Sequence, residues 1–120
     1  MKYDNNNIFA KILRGEIPCK KIYENEYVLS FYDINPQKKI HILIIPKGEY
    51  IDLDDFVSKA SDIEIVEFNK AITHIVKLLK ISNQEGGYRA LSNIGKDGGQ
   101  EVPHLHYHIF GGEKIGKMVG

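Results

Sequence analysis

Ile8, Phe9, Ile12 and Leu13 recur at the spacing of one helical face, directly after three asparagines able to cap it, and Gly15 and Pro18 stop the pattern. A short helix over residues 7–14 is predicted. Two β-rich runs follow, Lys20 to Tyr23 and Tyr27 to Asp33, around the polar hairpin loop Glu24-Asn25-Glu26. Asn35-Pro36 ends the second run, and Ile40 to Ile45 is apolar throughout except at His41, the pattern of a strand buried on both faces. Residues 47–60 mix acidic and apolar positions without a clean period and read as a loop with one turn around Asp54 to Ser58. Ser61 with Glu64 three positions on is a capping box, and Ile65, Phe68, Ile72, Ile75, Val76 and Leu79 then hold one face of a long helix. Tyr88 to Asn93 and His104 to Phe110 read as two further strands around the glycine-rich stretch Gly95 to Gln100. The order of helix, three strands, helix and two strands, with short connections, predicts an α+β fold: a five-stranded, mainly antiparallel sheet with one long and one short helix on one side.

Length and charge narrow the classes. At 120 residues the chain fits one domain spanning 1–120, and 42% hydrophobic with 27% charged residues is ordinary for a globular fold. Sixteen basic and sixteen acidic residues cancel, so no overall field favours nucleic acid or an anionic membrane. The longest purely apolar run, Ile42 to Ile45, is far too short to span a bilayer, and no basic segment leads into an apolar one near the start. The lone Cys19 makes a reducing, cytoplasmic compartment the simpler home. Gly116 to Gly120 has too few apolar residues to form a core element.

The chemistry concentrates at His104-Leu105-His106-Tyr107-His108-Ile109-Phe110, which holds three of the five histidines. In a strand, alternation sets the three imidazoles on one side and Leu105, Tyr107 and Ile109 in the core. Spacing leaves two functions open. The imidazoles could bind zinc, although residues four apart on a strand lie about 13 Å apart and cannot both reach one ion without a bend. Alternatively the middle imidazole attacks phosphorus, its neighbours fixing its tautomer and moving protons. The second reading needs an anion cradle, and Gly95-Lys96-Asp97-Gly98-Gly99-Gln100, immediately upstream, offers backbone N–H groups unobstructed by side chains.

His104 to Phe110 matches the His-φ-His-φ-His-φ-φ signature of the histidine triad superfamily, φ being apolar. The resemblance extends through Ile8-Phe9-Ala10-Lys11-Ile12, Glu16-Ile17-Pro18, Asp33-Ile34-Asn35-Pro36-Gln37, His41 to Lys47 and Gly98-Gly99-Gln100, and is strongest to the nucleotide-binding, phosphoramidase-type branch. It implies that His106 is the nucleophile on the α-phosphorus, with His104 and His108 as flanking partners and His41 as a supporting fourth histidine. It further implies that Asp33 accepts from the ribose hydroxyls. Ile8, Phe9, Ile12, Phe31 and Ile34 would form the base slot and Asn93, Gly99 and Gln100 the phosphate side, with Glu101 and Val102 also among the nucleotide-binding residues. Taken singly, Ile8, Phe9 and Ile12 are core residues at helical spacing, Asp33 is a turn residue and His41 a hydrogen-bonded core histidine.

Three departures refine the expectation. Glu101 stands where animal members of the branch carry a serine, which puts a hydroxyl contact to the leaving group in doubt. Asparagines replace the N-terminal cysteine pair of zinc-binding relatives, so no structural metal and no cofactor are expected. His108 stands where the nucleotidyltransferase branch has glutamine, which favours hydrolysis over transfer. The resemblance thus implies a homodimer, with the sheet continued across it, that hydrolyses purine nucleoside phosphoramidates. A dinucleoside polyphosphate hydrolase, a catalytically silent nucleotide-binding adaptor and a zinc sensor are the alternatives. His74, on the polar side of the long helix, matches nothing and is expected at the surface.

Overall fold

The computed structural model describes residues 2–118; Val119 and Gly120 of the C-terminal tail lie outside the described residues. Helix α1 (Ile8–Leu13) starts where the Asn7 side chain accepts from the Ala10 N–H and ends before Gly15, whose φ of 78° needs no β-carbon. Strands β1 (Lys21–Glu24) and β2 (Val28–Tyr32) form the predicted hairpin, whose loop is held by Asn25 Oδ1 accepting from the Tyr27 and Val28 N–H groups. Then come β3 (Ile40–Pro46), α2 (Leu53–Lys59), α3 (Asp62–Leu78), one 3₁₀ turn, β4 (Arg89–Leu91) and β5 (Tyr107–Gly111). The sheet order is β1-β2-β3-β5-β4, and every neighbouring pair is antiparallel.

β3 lies in the middle of the sheet and is buried from His41 onward, because both faces are covered. Val28, Ile42, Ile44, Leu105 and Ile109 pack against Phe56 of α2 and Phe68, Ala71, Ile75 and Val76 of α3. Leu29, Phe31, Leu43 and Ile45, the alternate positions, pack against Phe9 of α1. The expectation of helices on one side is therefore corrected: α1 sits alone on the opposite face. The histidines lie on that same face of the sheet, with Phe9 of α1 against His104 and His106.

Two more predicted elements differ. Residues 47–60 contain a two-turn helix, α2, so the fold has two short helices besides the long one. Its signal is a cap and not a period: the Asp52 side chain accepts from the Asp55 N–H, while Phe56 points in and Val57 beside it points out. The last strand begins at Tyr107 and not His104. Upstream of it the backbone is claimed elsewhere, the Leu105 N–H by the Tyr50 carbonyl at 2.8 Å and the His104 N–H by the Val102 carbonyl at 2.9 Å. Leu105, Tyr107 and Ile109 still face the α2–α3 core as alternation predicts. No helix among the described residues is long and apolar enough to cross a membrane.

Candidate active site

The antiparallel register builds the site. β3 sets Leu43 opposite His108 and His41 opposite Phe110, and directly opposed residues share a face, so His41 and His108 meet diagonally on the α1 side of the sheet. The segment entering β5 adds His104 and His106. Phe9 of α1 lies edge-on to both, its ring centre 4.9 Å from that of His106 and 6.2 Å from that of His104. His41, His104 and His106 are buried and His108 is half-buried.

Each imidazole has a partner that dictates where its proton sits. His106 Nδ1 lies 2.7 Å from the His104 carbonyl oxygen. A carbonyl only accepts, so Nδ1 carries the hydrogen and Nε2 keeps a lone pair. His104 Nε2 likewise donates to the Pro46 carbonyl at 2.9 Å, and its Nδ1 accepts the Tyr3 hydroxyl proton at 2.6 Å. His41 Nδ1 accepts the Gln37 N–H at 3.2 Å, which leaves the proton on Nε2, 3.0 Å from His108 Nδ1 and 3.4 Å from Asp33 Oδ2. His108 must then hold its own proton at Nε2.

All four imidazoles are held neutral. Burial drives His104 down to about 4, with the His106 ring adding to the effect and the Pro46 bond opposing it. Burial lowers His108 to about 4 as well, helped by His106 and His41. Burial also lowers His106 and His41, against the opposing pull of Asp33 on both and of the His104 carbonyl and Glu101 on His106. The middle histidine is therefore a neutral base with its free nitrogen unprotonated, the state a nucleophile requires.

A protein-family model, the HIT domain, matches residues 14–115, which include all four histidines. The chain belongs to the HIT family. It is 53% identical over 117 residues to a 13.2 kDa HIT-like protein of Azospirillum brasilense, with 98% of this chain and 94% of the relative covered. To the purine nucleoside phosphoramidase of Escherichia coli K12 it is 38% identical, with 93% and 92% covered. Among solved structures, a HIT family hydrolase from Legionella pneumophila superposes with a TM-score of 0.85 at 34% identity, over 96% of this chain and all of that one. The five-stranded antiparallel sheet and its helices are those of HIT-fold proteins, and the fold is of the type found in HIT family hydrolases.

Within this HIT domain the other predicted site residues are placed unevenly about the histidines. Phe9, Phe31, Asp33 and Val102 lie at the site. The Phe31 ring meets that of Phe9 at 5.8 Å, Val102 packs on the same cluster, and Asp33 places one carboxylate oxygen by His41 while the other accepts the Asn35 N–H. Asn93 is half-buried next to Ser92, whose hydroxyl donates to the His106 carbonyl, and the exposed Glu101 lies close enough for its charge to act on His106. Ile8 and Ile34 are exposed, by 44% and 89%, and Gly99 sits on an exposed turn with φ of 79°. Ile12, in the last turn of α1, packs on the same cluster and is the single base-slot residue that also lines a cavity of about 440 Å³, with Leu13, Ile17, Cys19 and Lys47. Gln100 is committed to the glycine-rich loop: its carbonyl accepts the Gly95 N–H and its amide donates to the Ile51 and Val102 carbonyls. His74 is exposed, with its ring 4.7 Å from that of Tyr23.

His104 fixes the tautomer of His106, as expected of a neighbouring residue; sequence reasoning missed the residues that fix the other tautomers. Gln37 and Pro46 act through backbone groups, which no side-chain motif reports, and Tyr3 is a single aromatic in a polar segment. The zinc reading meets a chemical obstacle. Asp33, His41 and His108 bring their ligand atoms within 4.8 Å of one another, yet the Gln37 bond keeps the proton on the His41 nitrogen that would have to bind the ion. His104 has both ring nitrogens engaged. These groups form a hydrogen-bonded chain and not a ligand cage.

Proposed function

We propose that this chain is a purine nucleoside phosphoramidase, hydrolysing nucleoside monophosphate derivatives at the α-phosphorus. The observation that carries the reading is the His106 Nδ1–H bond to the His104 carbonyl, which frees Nε2 for attack. The likeness to the E. coli purine nucleoside phosphoramidase supports the substrate class. In the first step a bond forms between His106 Nε2 and phosphorus while the P–N bond to the amine breaks. His108, protonated beside the bound phosphoryl anion, gives the departing nitrogen a proton. Water then attacks phosphorus, its proton returns to His108, and the nucleoside monophosphate leaves His106. The Gly95, Gly99 and Gln100 N–H groups close hydrogen bonds within the glycine-rich turn, so in this reading the turn's other backbone N–H groups hold the phosphoryl oxygens, Asp33 accepts from the ribose, and Phe9 and Phe31, with Ile8, Ile12 and Ile34 at the rim, contact the base.

The active species in this reading is a homodimer in the cytoplasm. Exposed Ile63 and Val66 on α3, together with the outer edge of β4, support pairing with a second copy, and the exposed free thiol of Cys19 suits a reducing compartment. No metal enters the reaction.

Phosphorus NMR of the protein with adenosine 5′-phosphoramidate in EDTA tests the proposal. Conversion to AMP is expected. Conversion only of a dinucleoside polyphosphate would move the leaving group from an amine to a nucleotide, and AMP binding without turnover of either would indicate an adaptor.

A further inference from the structure

One polar side chain reaches the histidines from a segment that the reaction above leaves unused. Tyr3, ahead of α1, is half-buried, and its hydroxyl lies 2.6 Å from Nδ1 of His104, whose side chain is wholly buried. The rings meet edge to face at 5.6 Å. With Nε2 given to the Pro46 carbonyl at 2.9 Å, the His104 ring is pinned at both nitrogens, once from the N-terminal segment and once from the end of β3. The peptide it belongs to supplies the carbonyl that takes the proton of His106 Nδ1.

We propose that Tyr3 is a positioning residue for the nucleophile: its hydroxyl fixes the His104 ring, and through the His104 carbonyl it holds His106 with Nε2 unprotonated and aimed outward. This rests on the reading of His106 as the nucleophile. The direction of the bond is settled by its surroundings. Burial, with the nearby carboxylates of Glu49 and Asp4, raises the Tyr3 hydroxyl above its ordinary value against the opposing influence of the Asn7 side chain and, more weakly, Arg14, so it stays a donor. His104 is held neutral by burial, with the His106 ring facing it from the same segment, so its Nδ1 stays an acceptor. An anchor for the N-terminal segment alone would need only the aromatic ring, which Phe would supply equally well. The hydroxyl matters because without it a buried ring nitrogen is left with no donor.

Tyr3→Phe, which keeps the ring and removes the hydroxyl, therefore separates the two roles. In protein labelled with ¹⁵N-histidine, His104 Nδ1 is expected to move downfield, towards an imidazole nitrogen without a hydrogen bond, and the His106 signals to show a larger share of the other tautomer. Towards a nucleoside phosphoramidate, kcat is expected to fall about tenfold with KM unchanged, the pattern for a group that acts only on the reacting geometry. Ile75→Val, in the core on the far face, should lower Tm with no change in kcat and so controls for stability. Wild-type kcat, or an unchanged His106 tautomer, in folded Tyr3→Phe protein would overturn the proposal. If the wild-type chain turned over no phosphoramidate, the reaction would be lost, while the nitrogen signals would still decide whether Tyr3 positions His106.

Discussion

His106→Gly is expected to lower phosphoramidate turnover by about 10³-fold or more, the scale on which loss of a nucleophile acts. AMP affinity should stay within about tenfold, or 1.4 kcal/mol. The separation follows from the bonding of the ring. Its Nδ1 bonds to the protein at the His104 carbonyl, and in the proposed reaction Nε2 is the atom that meets phosphorus. In the proposed reading Phe31 and Asp33 still meet the base and ribose once the imidazole is gone, and Phe9, which packs edge-on to His106, keeps its contact with Phe31. Phosphorus NMR gives the rate and calorimetry the affinity. Unchanged turnover would rule His106 out as the nucleophile, and joint loss of turnover and AMP affinity would make its role one of binding.

Acidification should destabilise the fold well before its carboxylates titrate. In the folded chain His104 and His108 sit at about 4, against the ordinary 6.5 they regain on unfolding, and His41 and His106 are shifted the same way. Between these values the unfolded chain binds more protons than the folded one. The stability contributed by the neutral imidazoles is thus complete above pH 6.5 and is lost as the pH falls towards 4. For the wholly buried His104 alone the shift corresponds to about 3 kcal/mol, and His108 acts in the same direction. Glu24 works in a separate window. Hydrogen bonds from Lys21 and Lys47 hold it at about 2, so its contribution begins to fail only below its ordinary 4.5. Urea unfolding followed from pH 7.5 to pH 4.5 should show a marked decline beginning near 6.5. A flat profile over that range would mean that the imidazoles exchange protons with solvent as freely folded as unfolded.

The pattern of the chain revealed those parts of this structure that depend on side-chain periodicity. α3 was legible because the Ser61–Glu64 capping box precedes more than four turns with one apolar face, and β3 because only His41 interrupts its apolar run. The triad was legible because alternation puts Leu105, Tyr107 and Ile109 in the core and so turns the histidines the other way. Where backbone geometry decides, the pattern was silent. α2 has one buried residue, Phe56, and depends on its Asp52 cap. The side of the sheet taken by α1 is not a property of α1 at all. The clue lay in β2, where Leu29 and Phe31 on one face are as well buried as Val28 and Ser30 on the other, so both faces needed a cover. The fourth histidine and Asp33 reached the site through the resemblance, since in isolation each has an ordinary structural explanation. The tautomers rest on the carbonyls of His104 and Pro46 and the N–H of Gln37, none of which a sequence motif encodes.

The most direct test of covalent catalysis through His106 is the stereochemical course at phosphorus. A P-chiral adenosine phosphorothioamidate would be hydrolysed in ¹⁸O-labelled water by a single preparation of the protein. Two in-line displacements, one by His106 and one by water, each invert the centre, so the account predicts net retention of configuration. Net inversion would mean that water attacks directly, and would contradict a nucleotidyl-histidine intermediate.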